Sequence, residues 1–363
     1  MWLKRPLQLI SLLTLLALGV TACRAPLAEQ TLNGKAQCRI ALLLPETKTA
    51  RYETQDLPNF KNRLHELGFD EQYLIYNNAN QDAATQQQQA EAALTNGANV
   101  LVLDPVDSDA AAKIADLAKS KSVPVIAYDR LIKGSDGVTY YISFDNEKVG
   151  QLQGTALVTA LAGKAHPTIV MINGSPTDNN AILFKQGAHS VLDGKVIIAK
   201  EYDTPDWSPD KAQREMEQAL TTLNNQVDGV YAANDGTAGG AIAAMKATGI
   251  QPLPPVTGQD AELAAIQRIL AGEQYMTVYK AIKPEANAAA ELANALCHGE
   301  KPDESNINAK VNNGKMEVPS ILLTPITVTV DNVMQTVVAD RFWSVDQICS
   351  ADFKTYCDAA GIQ

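Results

Sequence analysis

Basic residues are in short supply. The 363-residue chain sets 30 lysines and arginines against 41 aspartates and glutamates, a formal net charge of −11. Phosphate backbones are gripped by clustered Lys and Arg, so a nucleic-acid partner is excluded. Histidine is scarcer still. His65, His166, His189 and His298 sit outside any acid–nucleophile constellation, and none stands at ligand spacing to a cysteine, so no metal site is implied. Motifs for bound nucleotides are missing too. "NDGTAGGA" has neither the phosphate-loop nor the dinucleotide spacing, and close helix packing through small residues accounts for it better. Ser175 in "NGSPT" lacks the Gly-x-Ser-x-Gly elbow. No catalytic apparatus and no cofactor are legible.

Long hydrophobic runs are also lacking, with one exception. "LQLISLLTLLALGV" follows Lys4 and Arg5, and it is short for a membrane span. Small residues and then Cys23 close it in "VTAC". This resembles a lipoprotein signal over residues 1–23, with Cys23 lipidated; an ordinary secretory peptide is the alternative. Residues 24–37 then form a tether. Without Lys4 and Arg5 the chain keeps 28 basic against 41 acidic residues, or −13. Export permits disulfides among Cys38, Cys297, Cys349 and Cys357. Three pairings are possible, and nearness in sequence favours Cys349 with Cys357.

What remains is a regular alternation. "CRIALLLP", "YLIYNNA", "VLVLDPV" and "VPVIAYD" read as strands rich in Val, Ile and Leu, each but the last followed by a helical stretch. Asp82 caps one of these helices, and Gly68 and Gly97 close two. The pattern restarts with "PTIVMINGS", "KVIIAKEYD", "VDGVYAAND", "LPPVTGQD" and "QYMTVYK", again with helices between, and "SILLTPITVTV" adds a late strand. Apolar strands alternating with helices mean parallel sheets covered on both faces. The fold class is α/β: two doubly wound, Rossmann-like lobes, with the chain recrossing between them.

Ligands of such sheets sit beyond the carboxyl ends of the strands. Those ends hold Arg51 and Tyr52, Asp104, Asp129 and Arg130, Asn179 and Asn180, Trp207, Asn234 and Asp235, Gln259 and Asp260, and Tyr279 and Lys280. Acids accept hydrogen bonds, Arg and Lys donate, and amides do both, while an indole covers an apolar face. The set suits a sugar. Each residue also has a plainer reading. Asp104, Asp109 and Asp235 are candidate helix caps, and Asp235 reads as a cap before a ligand; Asp129–Arg130 is a candidate structural ion pair. An enzyme using Asp129 and Asp260 as paired carboxylates is a competing class. A DNA-binding regulator would need an N-terminal helix pair where the export signal stands.

"VIAYDRLI", "YYISFDNEKVGQLQG", "NGSPTDNNAILFKQG", "AANDGTAGGAIAA", "TGQDAELAAIQRILAGEQYMTVYK" and "VPSILLTPI" resemble the periplasmic sugar-binding proteins of ABC transporters, in the branch of the D-xylose-binding protein. The resemblance runs from about Cys38 to Phe342 and implies a type I periplasmic-binding-protein fold with a three-crossing hinge. It implies an N-terminal lobe of residues 38–144 and 281–318, a C-terminal lobe of 145–280 and 319–345, and a tail of 346–363. The crossings would fall near Asn146, Lys280 and Pro319. A pentose would meet Arg51, Tyr52, Asp129, Arg130, Asn179, Trp207, Asn234, Asp260 and Lys280. Partners would be the monosaccharide, a membrane permease or a sensory receptor, and the membrane itself through the lipid; the protein would act as a monomer. Tyr52 stands where the family usually has tryptophan, and the tail "QICSADFKTYCDAAGIQ" runs past the family's usual end.

Overall fold

The computed structural model describes residues 38–362, so the signal, the tether, Cys23 and Gln363 lie outside the described residues. The first strand shows how the sheet forms. All five residues of β1 (Ile40–Leu44) are buried. Successive side chains of a strand point to opposite faces. Ile40, Leu42 and Leu44 therefore enter one core cluster, and Ala41 and Leu43 the other. The same double burial recurs in β3 (Val100–Leu103) and β4 (Val125–Tyr128), between which lies α3 (Ala112–Ser120). Before them come α1 (Leu57–Glu66), β2 (Leu74–Asn78) and α2 (Ala83–Thr95), with Asp82 capping α2 through Thr85 N–H. β5 (Val138–Phe144) completes the first run.

The second lobe repeats the plan. It contains α4 (Asn146–Ala160), β6 (Thr168–Asn173), α5 (Asn179–Leu192), β7 (Ile197–Asp203), α6 (Pro209–Thr222), β8 (Gly229–Ala232), α7 (Asp235–Ala247), α8 (Leu263–Leu270) and β9 (Thr277–Tyr279). The chain returns through α9 (Ile282–Cys297), β10 (Ala309–Asn312) and β11 (Glu317–Leu323), and ends with β12 (Ile326–Val328), α10 (Val345–Ile348) and α11 (Lys354–Ala359). None of the helices among the described residues is long and apolar enough to cross a membrane.

The first sheet has the order β10-β11-β5-β4-β3-β1-β2, parallel except for β10 at its edge. The second has β7-β6-β8, all parallel. "LPPVTGQD" does not make a regular strand. Its prolines lack N–H groups. It keeps one bridge, Val230 to Val256, and then bonds β9 through Val278 N–H to Gly258 and Asp260 N–H to Val278. β9 pairs with β12 antiparallel. In the glycine run, a Cβ on Gly240 would lie 2.3 Å from Pro209 O, so α6 and α7 approach as closely as small residues allow.

The chain passes between lobes after β5, after β9 and after β11. The third passage differs from expectation. "SILLTPITVTV" is two strands: β11 lies parallel to β5 in the first sheet, and β12 lies in the second lobe. Pro325 separates them, so the passage falls at residues 324–325 and Pro319 stays inside β11. The tail folds back on these passages. Ile348, Cys357 and Ile362 are buried in one cluster with Phe144, Tyr279, Ile282 and Val328. Two disulfides form: Cys349–Cys357 closes the tail, and Cys38–Cys297 ties the chain start to the end of α9.

Candidate functional site

The strand ends of both lobes converge on one small cavity lined by Thr49, Arg51, Tyr52, Asp129, Arg130, Asp178, Asn180, Phe184, Trp207, Asn234, Gln259, Asp260 and Lys280.

Arg51 anchors the first lobe's side. Its guanidinium is 2% exposed and meets Asp56 twice (2.9 and 2.7 Å), Glu285 at 2.7 Å and Asp129 at 3.1 Å. Tyr52 lies between two guanidiniums, 5.3 Å from Arg51 and 5.6 Å from Arg130. Its hydroxyl donates to Asp129 at 3.2 Å and accepts from Arg130 at 3.0 Å. An indole has one donor and no acceptor. Tyrosine thus makes a link here that tryptophan could not.

Lys280, just after β9, reaches Asp260 at 3.1 Å and Asp129 at 3.6 Å. Burial opposes the charge on Asp129, but Arg51, Lys280 and Arg130 outweigh it and hold this carboxyl well below the usual range. Asp129 is therefore fixed as an anion, which removes it as a general acid. Burial also opposes the charge on Lys280, yet Asp129 and Asp260 keep its pKa raised.

Several bonds cross from lobe to lobe. Arg130 Nε pairs with Asp178 at 2.9 Å, and Asn180 Nδ2 donates to the Asp129 carbonyl at 3.0 Å. Ser108 N–H donates to the Thr177 carbonyl at 3.0 Å. Trp207 Nε1 donates to the same Asp178 at 3.1 Å, and its ring meets Phe184 edge-on at 6.3 Å. The backbone is tense at the same places. Asp129 (φ 53°), Trp207 (φ 52°) and Asp260 (φ 90°) all occupy the left-handed region. Such conformations persist for non-glycine residues only where surroundings enforce them, and they cluster at functional sites.

Eight of the nine residues that the resemblance assigns to the sugar line this cavity; Asn179 does not. It opens α5, half-buried, with its N–H on Ser108 Oγ. One residue further turns the helix by about 100°. Asn180 is therefore the amide that faces inward. Asp235 is not the cap of α7 either. Asn234 caps it, accepting from Thr237 N–H, while Asp235 lies buried behind and accepts from Gln274 and Thr277. Asp104 and Asp109 cap nothing: Asp104 is buried 3.6 Å from Arg130, and Asp109 pairs with Lys133. Sequence reasoning missed Asp178, Phe184 and the supports Asp56 and Glu285. Glu285 left a signal. It stands on the apolar face of α9 with Ile282, Ala286, Ala289 and Ala293, where an acid needs a partner.

Two α/β lobes, a chain that passes between them three times and a polar cleft at the strand ends define a type I periplasmic binding protein. The chain belongs to that family: it matches the periplasmic binding protein domain over residues 40–301. Within the family it falls among the sugar-binding proteins of ABC transporters, which are transport components and not enzymes. It is 38% identical over 328 residues to the D-xylose-binding periplasmic protein of Escherichia coli, covering 89% of this chain and 96% of the relative. It is 34% identical to a multiple sugar-binding periplasmic receptor of Rhizobium radiobacter, covering 94% and 99%. A solved ABC transporter solute-binding protein of Clostridium phytofermentans with bound β-D-glucose superposes with a TM-score of 0.78 at 29% identity, covering 85% of this chain and 99% of that one.

Proposed function

We propose that this protein captures a monosaccharide, D-xylose or a related pentose, between its lobes and hands it to a membrane permease. The convergence of polar side chains from both lobes on one cavity supports this reading most. Arg51, Tyr52, Asp129 and Arg130 serve one side of the sugar; Trp207, Asn234 and Asp260 serve the other, with Lys280 at the passage between. Asp178, Asn180 and Gln259 join the set in place of Asn179. Gln259 Oε1 is buried and has no hydrogen-bond partner among the described residues, so it is an acceptor free for a hydroxyl. Only the closed form gives a sugar both sets of bonds, so binding shifts the population toward closure. A sugar lacking one hydroxyl leaves a buried group unpaired and is rejected.

The identity to the D-xylose-binding relative favours a pentose. Lipidation at Cys23 would hold the monomer on the outer side of a membrane. A second reading, sugar presentation to a sensory receptor, is favoured by the likeness to the Rhizobium radiobacter receptor. Calorimetric titration of the mature protein with D-xylose, L-arabinose, D-ribose, D-glucose and D-galactose tests the proposal. Saturable binding strongest for a pentose is expected; heat with none of them overturns it, and a preference for a hexose overturns the pentose assignment.

A further inference from the structure

The Asp260 carboxylate reaches the cavity from an unusual corner. Asp260 (φ 90°) and Ala261 (φ 49°) are consecutive left-handed residues, neither of them glycine. Such a corner holds its shape only if its backbone groups are pinned. From inside the second lobe, Asp260 N–H bonds the Val278 carbonyl at 2.9 Å, and Ala261 N–H bonds Thr277 Oγ1 at 3.2 Å. Glu262 N–H bonds buried Asp235 at 2.9 Å. The remaining anchor comes from elsewhere in the chain. The Ala261 carbonyl accepts from Trp343 Nε1 at 2.8 Å, and Ala261 is fully buried.

Trp343 is itself held in place. Arg341 turns the chain at φ 57°, and Phe342 points inward, with its ring edge-on to Tyr279 at 5.1 Å and to Trp343 at 5.4 Å. Beyond it, the Gln347 and Ile348 carbonyls accept from Gln267 of α8 at 3.3 and 3.2 Å. The Cys349–Cys357 disulfide then closes the segment while Ile348, Cys357 and Ile362 bury against the passages between lobes.

We propose that Trp343, seated by the disulfide-closed C-terminal segment, is a positioning residue for the cleft: its indole N–H fixes the Asp260–Ala261 corner and so aims the Asp260 carboxylate at the ligand. Trp343 is not among the residues lining the cavity and acts through Asp260. The inference rests on the sugar-binding reading above. The tail then has a function: it sets how sharply the site recognises the hydroxyl that Asp260 takes.

A double-mutant cycle with D-xylose separates this from a general structural role. Trp343→Phe keeps an aromatic ring beside Phe342 and removes the donor. We expect it to weaken binding about tenfold, because a buried acceptor loses its partner and the corner relaxes. In an Asp260→Asn background the same substitution should cause no further weakening. Wild-type affinity in Trp343→Phe, or an equal loss with and without Asp260, overturns the proposal. Should Trp343→Phe fail to melt cooperatively, the Cys349→Ser/Cys357→Ser protein puts the same question. Weakening that requires Asp260 supports the proposal; no weakening, or weakening independent of Asp260, overturns it. Absence of xylose binding by the wild-type protein would instead overturn the pentose reading itself.

Discussion

Replacing Asp178 by asparagine tests what lobe closure gains from the Arg130–Asp178 bond. One carboxylate oxygen accepts from Asn180 N–H at 2.8 Å and caps α5. The other takes Arg130 Nε at 2.9 Å across the cleft and Trp207 Nε1 at 3.1 Å. Asparagine caps a helix as well as aspartate does, so α5 stays intact. With its oxygen on the cap, its NH₂ faces two donors, and neither can bond it. Arg130 keeps Tyr52 and the Pro105 carbonyl but loses its anion across the cleft. A hydrogen bond to a charged group contributes about 1.5–3 kcal/mol. Since only the closed form makes this bond, the loss falls on binding: about 2 kcal/mol, or roughly thirtyfold in Kd. Calorimetric titration with D-xylose reads the affinity, and a thermal melt without sugar reads the fold. An affinity within about twofold of wild type would refute the reasoning. The Trp207 bond lies within the second lobe, so its loss should lower the sugar-free melting temperature modestly; a large drop would refute the reasoning too, because the residue would then serve the fold and not closure.

Other consequences follow from the same geometry. A Cβ on Gly174 would lie 2.0 Å from the Trp207 ring, so Gly174→Ala should displace the indole and weaken every sugar alike by about 1–3 kcal/mol, read by titration with several monosaccharides. Burial outweighs Arg130 and pushes the Asp104 carboxyl up, so the folded protein still holds that proton after the unfolded chain has released it, and this group's contribution to stability falls as pH rises above the ordinary value near 3.8. Asp104→Asn should therefore melt higher than wild type at neutral pH, with the gap closing on acidification; a lower melting temperature at neutral pH would count against this. Cys38–Cys297 spans 259 residues and Cys349–Cys357 spans 8. By chain entropy the first should contribute about 5.5 kcal/mol to stability and the second about 2.5. Paired serine substitutions with denaturant melts should rank them in that order, and only the second pair should touch sugar affinity.

Much of the architecture was readable because its cause is local. A strand such as "IALLL" can be apolar on every residue only if both its faces are covered, and strand–helix alternation then leaves few topologies. The candidate site was readable for a related reason: strand ends are where a parallel sheet presents polar groups, and Asp129, Arg130, Trp207 and Asp260 stand at such ends. The misses came from geometry finer than composition. Asn179 and Asn180 differ by a rotation of about 100° around the helix axis that no pattern in "TDNN" reveals. Asp178 caps α5, but that its second oxygen bridges the lobes depends on how the lobes meet. The passage at residues 324–325 turned on Pro325 splitting one apolar run between two sheets. The tail's seat was hidden because Ile348, Cys357 and Ile362 bury against residues hundreds of positions earlier as well as against nearby ones.

The most direct test is a crystal structure of the mature protein grown with D-xylose. The account predicts one sugar ring enclosed between the lobes, with hydroxyls bonded to Asp129 or Arg130 on one side and to Asn234 or Asp260 on the other, and with Trp207 against its face. A sugar bound to a single lobe, or bound outside the space these residues enclose, would contradict it.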